Sequence, residues 1–486
     1  MVVNSLNFLL FFVVVFVVYY LPVSRNSPKF QNTWLFVTSY FFYGFADRKM
    51  IALLLGATIV FYGIGLWLKS EMEKRHTKNA SNITTLGVVL GIGVLFYFKY
   101  LNFFADSFAQ LLNAIGLNVS WSTLNIVLPI GVSFFTFKLI SYVIEVHREH
   151  IQPSKDFIEF GAYISFFPTI LSGPIDRPNK FIPQLGNARR FDYHLAVKGV
   201  YLVLWGLFMK MCIADNLAVC IDPVILNIHN YNAQDLLRGF LFYPLQLYTD
   251  FAGYSNMAIG VGALLGLKVS QNFNYPFIGR NIAEYWRRWH MSLTSFITDY
   301  VFMPLNIAFR SYGNFGIIMA VAINLIIIGF WHGANWTYGL FGLYHGLLFV
   351  PLVFSGAFGK HKKIKANKYG LLPIKDVFMM MLTYILVAIG NTIFRAPDVY
   401  SAFLYMTSMF DWSVLNKASG NYDTFQIGVF CLLLLLLKEY VEVFHPKFKI
   451  MESNSVLLKY VWVLTLFTIW ILTQNEDTSQ FIYFNF

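Results

Sequence analysis

The segment Phe330-Trp331-His332-Gly333-Ala334-Asn335-Trp336 sets an imidazole between two apolar runs that barely pause. Gly333 and Ala334 are small and leave room beside that ring for a ligand or a backbone. A second imidazole closes Glu284-Tyr285-Trp286-Arg287-Arg288-Trp289-His290. On a helix, Trp286, Trp289 and His290 would fall at i, i+3 and i+4 and share a face, with the arginines turned toward phosphates or water. A third stretch, Tyr248-Thr249-Asp250-Phe251-Ala252-Gly253-Tyr254-Ser255-Asn256, carries hydroxyls and a carboxylate into an otherwise apolar helix. A charge at mid-membrane costs about 2.5–3.5 kcal/mol on insertion scales, so each such group is a functional candidate. Each also has a structural reading. A histidine within a membrane is commonly an interhelical hydrogen-bonder, and a Trp–Arg cluster can be an interfacial belt. Asp250 either lines a cavity or pairs with an arginine, as the buried partner of a basic residue.

The absent motifs narrow the chemistry. No GxxxxGK[ST] loop cradles a nucleotide phosphate. No HExxH or close His pair points to zinc, so no metal is expected. No GxSxG elbow presents a serine nucleophile. A histidine base inside a membrane, with no covalent nucleophile in view, fits direct transfer of an activated group to a hydroxyl. The rival reading is a transporter or polysaccharide exporter, with Asp250, Lys138 and the histidines forming a proton or substrate path. Transporters usually carry inverted repeats, and none is visible here.

The elements that must position these residues are set by composition. Of 486 residues, 57% are hydrophobic and only 13% charged, with 51 Phe and 29 Tyr. Soluble domains carry about 25% charged residues, so a soluble enzyme, a disordered tail and a coiled coil are excluded. The chain is read as a polytopic, all-α membrane protein. Candidate spans are 6–23, 34–45, 51–68, 86–104, 127–146, 158–171, 197–214, 237–267, 293–309, 315–330, 338–354, 377–393, 425–437 and 457–472. Because a span needs about 20 apolar residues, they predict about 11 to 13 transmembrane or re-entrant helices. The segment 6–23 lacks a small-residue cleavage site and is read as a retained span. Ordered counting fails near 158–171 and 293–309 unless both are re-entrant, and irregular backbone is expected there.

The net charge is +11. It sits in short loops: Lys69 to Lys78, Arg177 to Arg190, Arg280 to Arg288, Lys360 to Lys368, and Lys438 to Lys449. Such loops face the cytosol by the positive-inside rule and do not argue for nucleic acid. Counting outward from them puts both ends of the chain outside. Cys212, Cys220 and Cys431 form no metal or disulfide pattern and read as small buried hydrophobes.

Further blocks carry a likeness. They are Ser39-Tyr40-Phe41-Phe42-Tyr43-Gly44, Leu128-Pro129-Ile130-Gly131-Val132-Ser133-Phe134-Phe135-Thr136-Phe137, and Ser172-Gly173-Pro174-Ile175-Asp176-Arg177. Then come Trp205-Gly206-Leu207-Phe208-Met209-Lys210, Ile213-Ala214-Asp215-Asn216-Leu217-Ala218, Tyr285 to Ser292, and Phe330 to Gly346. Along most of its length the chain resembles the membrane-bound O-acyltransferases, and within them the bacterial alginate O-acetylase and peptidoglycan O-acetyltransferase branch.

The resemblance implies a single membrane domain over 1–486, with core motifs at 128–346 and C-terminal helices at 370–475, around a central funnel and tunnel. It implies that His332 is the family's near-invariant base and His290 its second histidine, nearer the donor. Trp331, Asn335, Trp336, Trp289, Tyr248 and Asp250 are the candidate tunnel or substrate residues. It further implies a bacterial inner-membrane, multi-pass enzyme using acetyl-CoA or another thioester as donor substrate, with no bound cofactor. An extracytoplasmic acyltransferase partner would complete delivery of acetyl to a polysaccharide. The segment Phe166 to Arg177 resembles the D-alanyl transfer branch, which loads teichoic acid from a carrier protein, at least as closely. Lys138 stands where many acetylases have Gln.

Overall fold

The computed structural model describes residues 3–22, 26–121, 123–124, 126–360, 364, 366–367, 370–412, 422–445 and 455–473. Among them every regular element is helical. Seven helical stretches are long and apolar enough to cross a bilayer unaided: Ile51–Glu73, Thr77–Ala114, Tyr193–Leu226, Arg310–His332, Trp336–Phe354, Ile374–Arg395 and Val456–Thr473. The other expected spans are helical but shorter or more polar. The first, Leu6–Tyr19, has 14 residues.

Irregular backbone occurs where span counting fails, and also at the π-type segments Phe96–Tyr100 and Phe208–Ala214. Helix Phe157–Ser165 stops at Phe166, and a four-residue turn, Phe167–Ile170, restarts with Pro168 in its first turn. Proline has no N–H to give, so it is tolerated there and not deeper in a helix. Similarly, Met291–Ile297 passes through a π-type segment, Thr298–Phe302, before Met303–Ala308.

The chain forms two compact units. The first comprises Met1–Val203 and Met257–Ser270. Its polar groups are buried in pairs. Lys138 donates to Thr169 Oγ1 at 3.0 Å and to the Tyr163 carbonyl at 3.3 Å, pinning the broken helix region. Arg189 donates to Tyr19 Oη at 2.7 Å and Asn32 Oδ1 at 2.8 Å. A buried charge is tolerable only when its donors are used this way.

The second unit comprises Leu204–Asn256 and Gln271–Phe486, and it holds every candidate site residue. Its most closely packed pair is the hairpin of Gly313–His332 and Trp336–Leu347. A Cβ on Gly342 would stand 2.3 Å from the Leu325 carbonyl oxygen, and one on Gly329 2.0 Å from that of Tyr338. Glycine is what lets the two backbones touch here, as in other membrane helix pairs. His332 is the last residue of the first arm.

The three cysteines are free, with Cys212 and Cys431 buried.

Candidate active site

The turn at the hairpin tip follows from its residues. Gly333 ends the first helix in extended conformation, and Asn335 caps the second, its Oδ1 accepting from the Thr337 N–H at 3.1 Å. Asn is among the best residues for that task. Asn335 Nδ2 also donates to the Pro397 carbonyl at 2.8 Å. Asn335 is thereby committed to the backbone of the turn. The room expected beside Gly333 is filled by the Tyr338 ring, which a Cβ on Gly333 would meet at 2.1 Å.

His332 is 6% exposed, so its ring lies within the protein. It packs edge-on against Trp331, with centroids 4.8 Å apart, and against Phe394 at 5.0 Å. His290 is fully buried. Its ring meets Phe251 at 4.6 Å and Trp331 at 5.5 Å, both edge-on. Trp331 therefore touches both imidazoles. Burial pushes the His290 imidazole down to about 3, the desolvation outweighing a backbone hydrogen bond.

The helical face proposed for Trp286, Trp289 and His290 does not form. The helix Ile282–Trp286 ends with the first of them, and His290 has left-handed backbone, φ 43°. Such a conformation costs about 1–3 kcal/mol in a non-glycine residue and persists only where its surroundings enforce it. They do so here. Met291 N donates to the Asn272 carbonyl at 2.8 Å, while Asn272 Nδ2 donates to Ser255 Oγ at 3.0 Å. Ser292 Oγ donates to Asn272 Oδ1 at 2.5 Å. The break separates the aromatic rings. Trp286 Nε1 donates to His345 Nδ1 at 3.3 Å. Trp289 instead stacks on Tyr285 at 5.5 Å and meets Phe273 edge-on at 5.1 Å.

The remaining candidates divide. Tyr248 lies 6.3 Å from the Trp289 ring and donates to Glu439 Oε1 at 2.6 Å. Asp250 has a basic partner. It is 1% exposed and sits 2.6 Å from Lys210 Nζ, which also holds Asp215 at 2.8 Å. Its basic partner is thus a lysine where an arginine was expected. Trp336 is 54% exposed and packs edge-on against Phe330 at 6.2 Å. Of the arginines beside the second histidine, Arg288 donates to the Asn274 carbonyl at 3.0 Å.

Several residues of this neighbourhood were not singled out from the sequence: Phe251, Phe394, Lys210 and the fully buried His345. Lys210 carried a usable signal, a lone cation within an apolar run. His345 lay in a quoted block but had no role attached. Phe251 and Phe394 are indistinguishable in sequence from any other of the 51 phenylalanines.

Residues 109–391 match the membrane-bound O-acyltransferase family, MBOAT. The chain belongs to that family. It is 35% identical to a probable alginate O-acetylase, AlgI, of Pseudomonas aeruginosa, covering 90% of this chain and 81% of that protein. It is 29% identical to a peptidoglycan O-acetyltransferase of Helicobacter pylori, over 82% of this chain and 80% of that one. A teichoic acid D-alanyltransferase of Streptococcus thermophilus is 32% identical, over 59% of this chain and 71% of its own length.

This O-acyltransferase is therefore a multi-pass membrane enzyme that uses an acyl donor. An imidazole walled by aromatic rings can accept a proton in a setting poor in water.

Proposed function

We propose that the enzyme moves an acetyl group from a cytosolic thioester, acetyl-CoA, across the bacterial inner membrane toward an extracytoplasmic polysaccharide. His332 is the general base. As the acceptor hydroxyl attacks the thioester carbonyl, its proton passes to the imidazole. The tetrahedral intermediate then collapses to the ester, and the departing thiolate takes that proton as a thiol. Such a base contributes about 10²–10⁴-fold, and orientation of the two substrates supplies much of the rest. His290, enclosed and joined to His332 through Trp331, supports the geometry of the site from the donor side.

The observation that carries this reading is the placement of His332: at a hairpin tip, enclosed by Trp331 and Phe394 and sharing Trp331 with the buried His290. The names of the relatives favour acetyl as the group and a polysaccharide as the acceptor. The polytopic fold supplies a reason for a membrane enzyme, since a cytosolic donor and an external polymer lie on opposite sides. An exported acyltransferase would receive the group and finish delivery.

D-alanyl transfer to teichoic acid is the second reading, favoured by the Streptococcus thermophilus relative. Radiolabelled acetyl-CoA supplied to the inner face of vesicles holding the full-length protein separates the two. Label should leave the donor and appear in an ester. Label that stays on CoA, with D-alanine transferred from a charged carrier protein instead, overturns the acetyl reading.

A further inference from the structure

A third histidine, His345, is fully buried on the second arm of the hairpin, Trp336–Leu347. Its Nδ1 accepts the Trp286 indole N–H at 3.3 Å. An indole can only donate, so Nδ1 carries no proton and the neutral ring holds its proton on Nε2. That N–H has no hydrogen-bond partner among the described residues. It is turned against the helix Ile374–Arg395, where a Cβ on Gly390 would collide with it. A phenylalanine would fill the same notch without leaving an enclosed N–H unmet. What the histidine offers over it is the acceptor, Nδ1.

The bond joins the elements that carry the other two histidines. Trp286 is 4% exposed and ends the helix Ile282–Trp286, and His290 follows four residues later. The link between them is short and folded: Arg287 N donates to the Ala283 carbonyl at 3.2 Å and Trp289 N to that of Tyr285 at 3.0 Å. Asn272 grips the turn beyond His290, through Met291 and Ser292, so a hold at Trp286 fixes it from the other side. On the hairpin, the His345 ring meets Phe341 at 4.5 Å, Phe341 meets Phe394 at 5.2 Å, and Phe394 meets His332 at 5.0 Å. Tyr344 Oη donates to the Leu386 carbonyl at 3.0 Å, fastening this arm to the helix that carries Phe394.

We propose that His345 is a positioning residue for acyl transfer. By accepting from Trp286 it ties the turn bearing His290 to the arm and helix that hold His332, and so sets the spacing of the two imidazoles about Trp331. A fixed link suits a reaction that must keep two substrates in line, where a displacement of about 1 Å costs about 100-fold. The inference rests on the reading of His332 as the base.

Full-length protein in lipid nanodiscs, labelled with 5-fluorotryptophan, reads the link by fluorine NMR without turnover. The resonances of Trp286, Trp289 and Trp331 are assigned by replacing each in turn with Phe. His345→Phe should shift Trp286, which loses its acceptor, and broaden Trp289 and Trp331, while the other tryptophans stay in place. In native membrane vesicles supplied with labelled acetyl-CoA, it should lower kcat for ester formation by about 10- to 100-fold, with KM for acetyl-CoA within about twofold of wild type. His345→Asn puts an amide oxygen where Nδ1 stood, and should restore the Trp286 resonance and much of kcat. Trp286→Phe, which removes the donor and is mild for folding, should lower kcat to the same degree, and the double variant His345→Phe, Trp286→Phe no further. Unmoved Trp289 and Trp331 resonances in His345→Phe, or losses that add in the double variant, overturn the proposal. So does a change confined to KM. Full transfer by His332→Ala, beside the same spectral changes in His345→Phe, would remove the base reading alone and leave the link standing.

Discussion

His290 and His332 both meet one indole: Trp331 stands 5.5 Å from the first ring and 4.8 Å from the second. The fully buried histidine and the 6%-exposed one are thereby held in a fixed relation by a side chain that is itself 5% exposed. That difference in burial gives the histidines different expected roles.

His332→Ala should lower acyl transfer by about 10²–10⁴-fold, the usual contribution of a general base. The protein should remain in the membrane at normal abundance, because the substitution lies at a helix end. Transfer of label measured per mole of membrane protein checks this. Wild-type transfer by the variant would remove His332 from the chemistry.

His290→Gln should reduce activity without abolishing it, and should leave the acid limb of the pH–rate profile in place. Burial holds the His290 imidazole at about 3, so it is neutral through the range in which an ordinary histidine titrates. The sign also fixes a stability effect. A histidine depressed in the folded state contributes stability that is complete above about 6.5 and is lost as pH falls toward 3. Acid sensitivity of the folded protein between those limits should therefore lessen in His290→Gln. An acid limb that vanishes in this variant would show that His290 titrates in the working range.

Lys210→Met should destabilise the second unit by about 3–5 kcal/mol, the typical cost of removing one member of a buried ion pair. It would leave Asp215 and Asp250 facing each other with no cation at 2.8 and 2.6 Å. The triple variant Lys210→Met, Asp215→Asn, Asp250→Asn should recover much of the loss. Thermal unfolding in detergent measures both. If Lys210→Met melts like wild type, the triad is not the structural clamp described here.

Gly342→Val should disorder the hairpin, because its side chain would begin 2.3 Å from the Leu325 carbonyl oxygen. Activity should fall with His332 intact, since the tip that presents it shifts with its arm. Gly93→Ala is a control, with nothing within 4 Å of an added Cβ. Equal activity in the two variants would argue against close packing as what positions the site.

Much of the fold could be read from the chain. Long apolar runs, and the breaks near Phe166 and Thr298, follow from hydropathy and local backbone rules. The site was legible in part. His332, His290 and Trp331 stood out as polar or aromatic groups in costly surroundings, and the structure gathers them. Trp336 stood out by the same signal and faces outward. Helical spacing placed Trp286 beside His290, but a left-handed residue at position 290 ends that periodicity. Nothing in the order of residues announces such a break, because Asn272, which enforces it, lies 18 positions upstream.

The sequence by itself determined the medium and the class of chemistry. A chain with so few charges must be solvated by lipid, and the polar residues it retains there must be paired or used. Partnership was decided only by the tertiary structure. Asp250 found a lysine, and Trp331 came to bridge two imidazoles. Pairing energies depend on distance and burial, and those are set by helices that meet from remote parts of the chain.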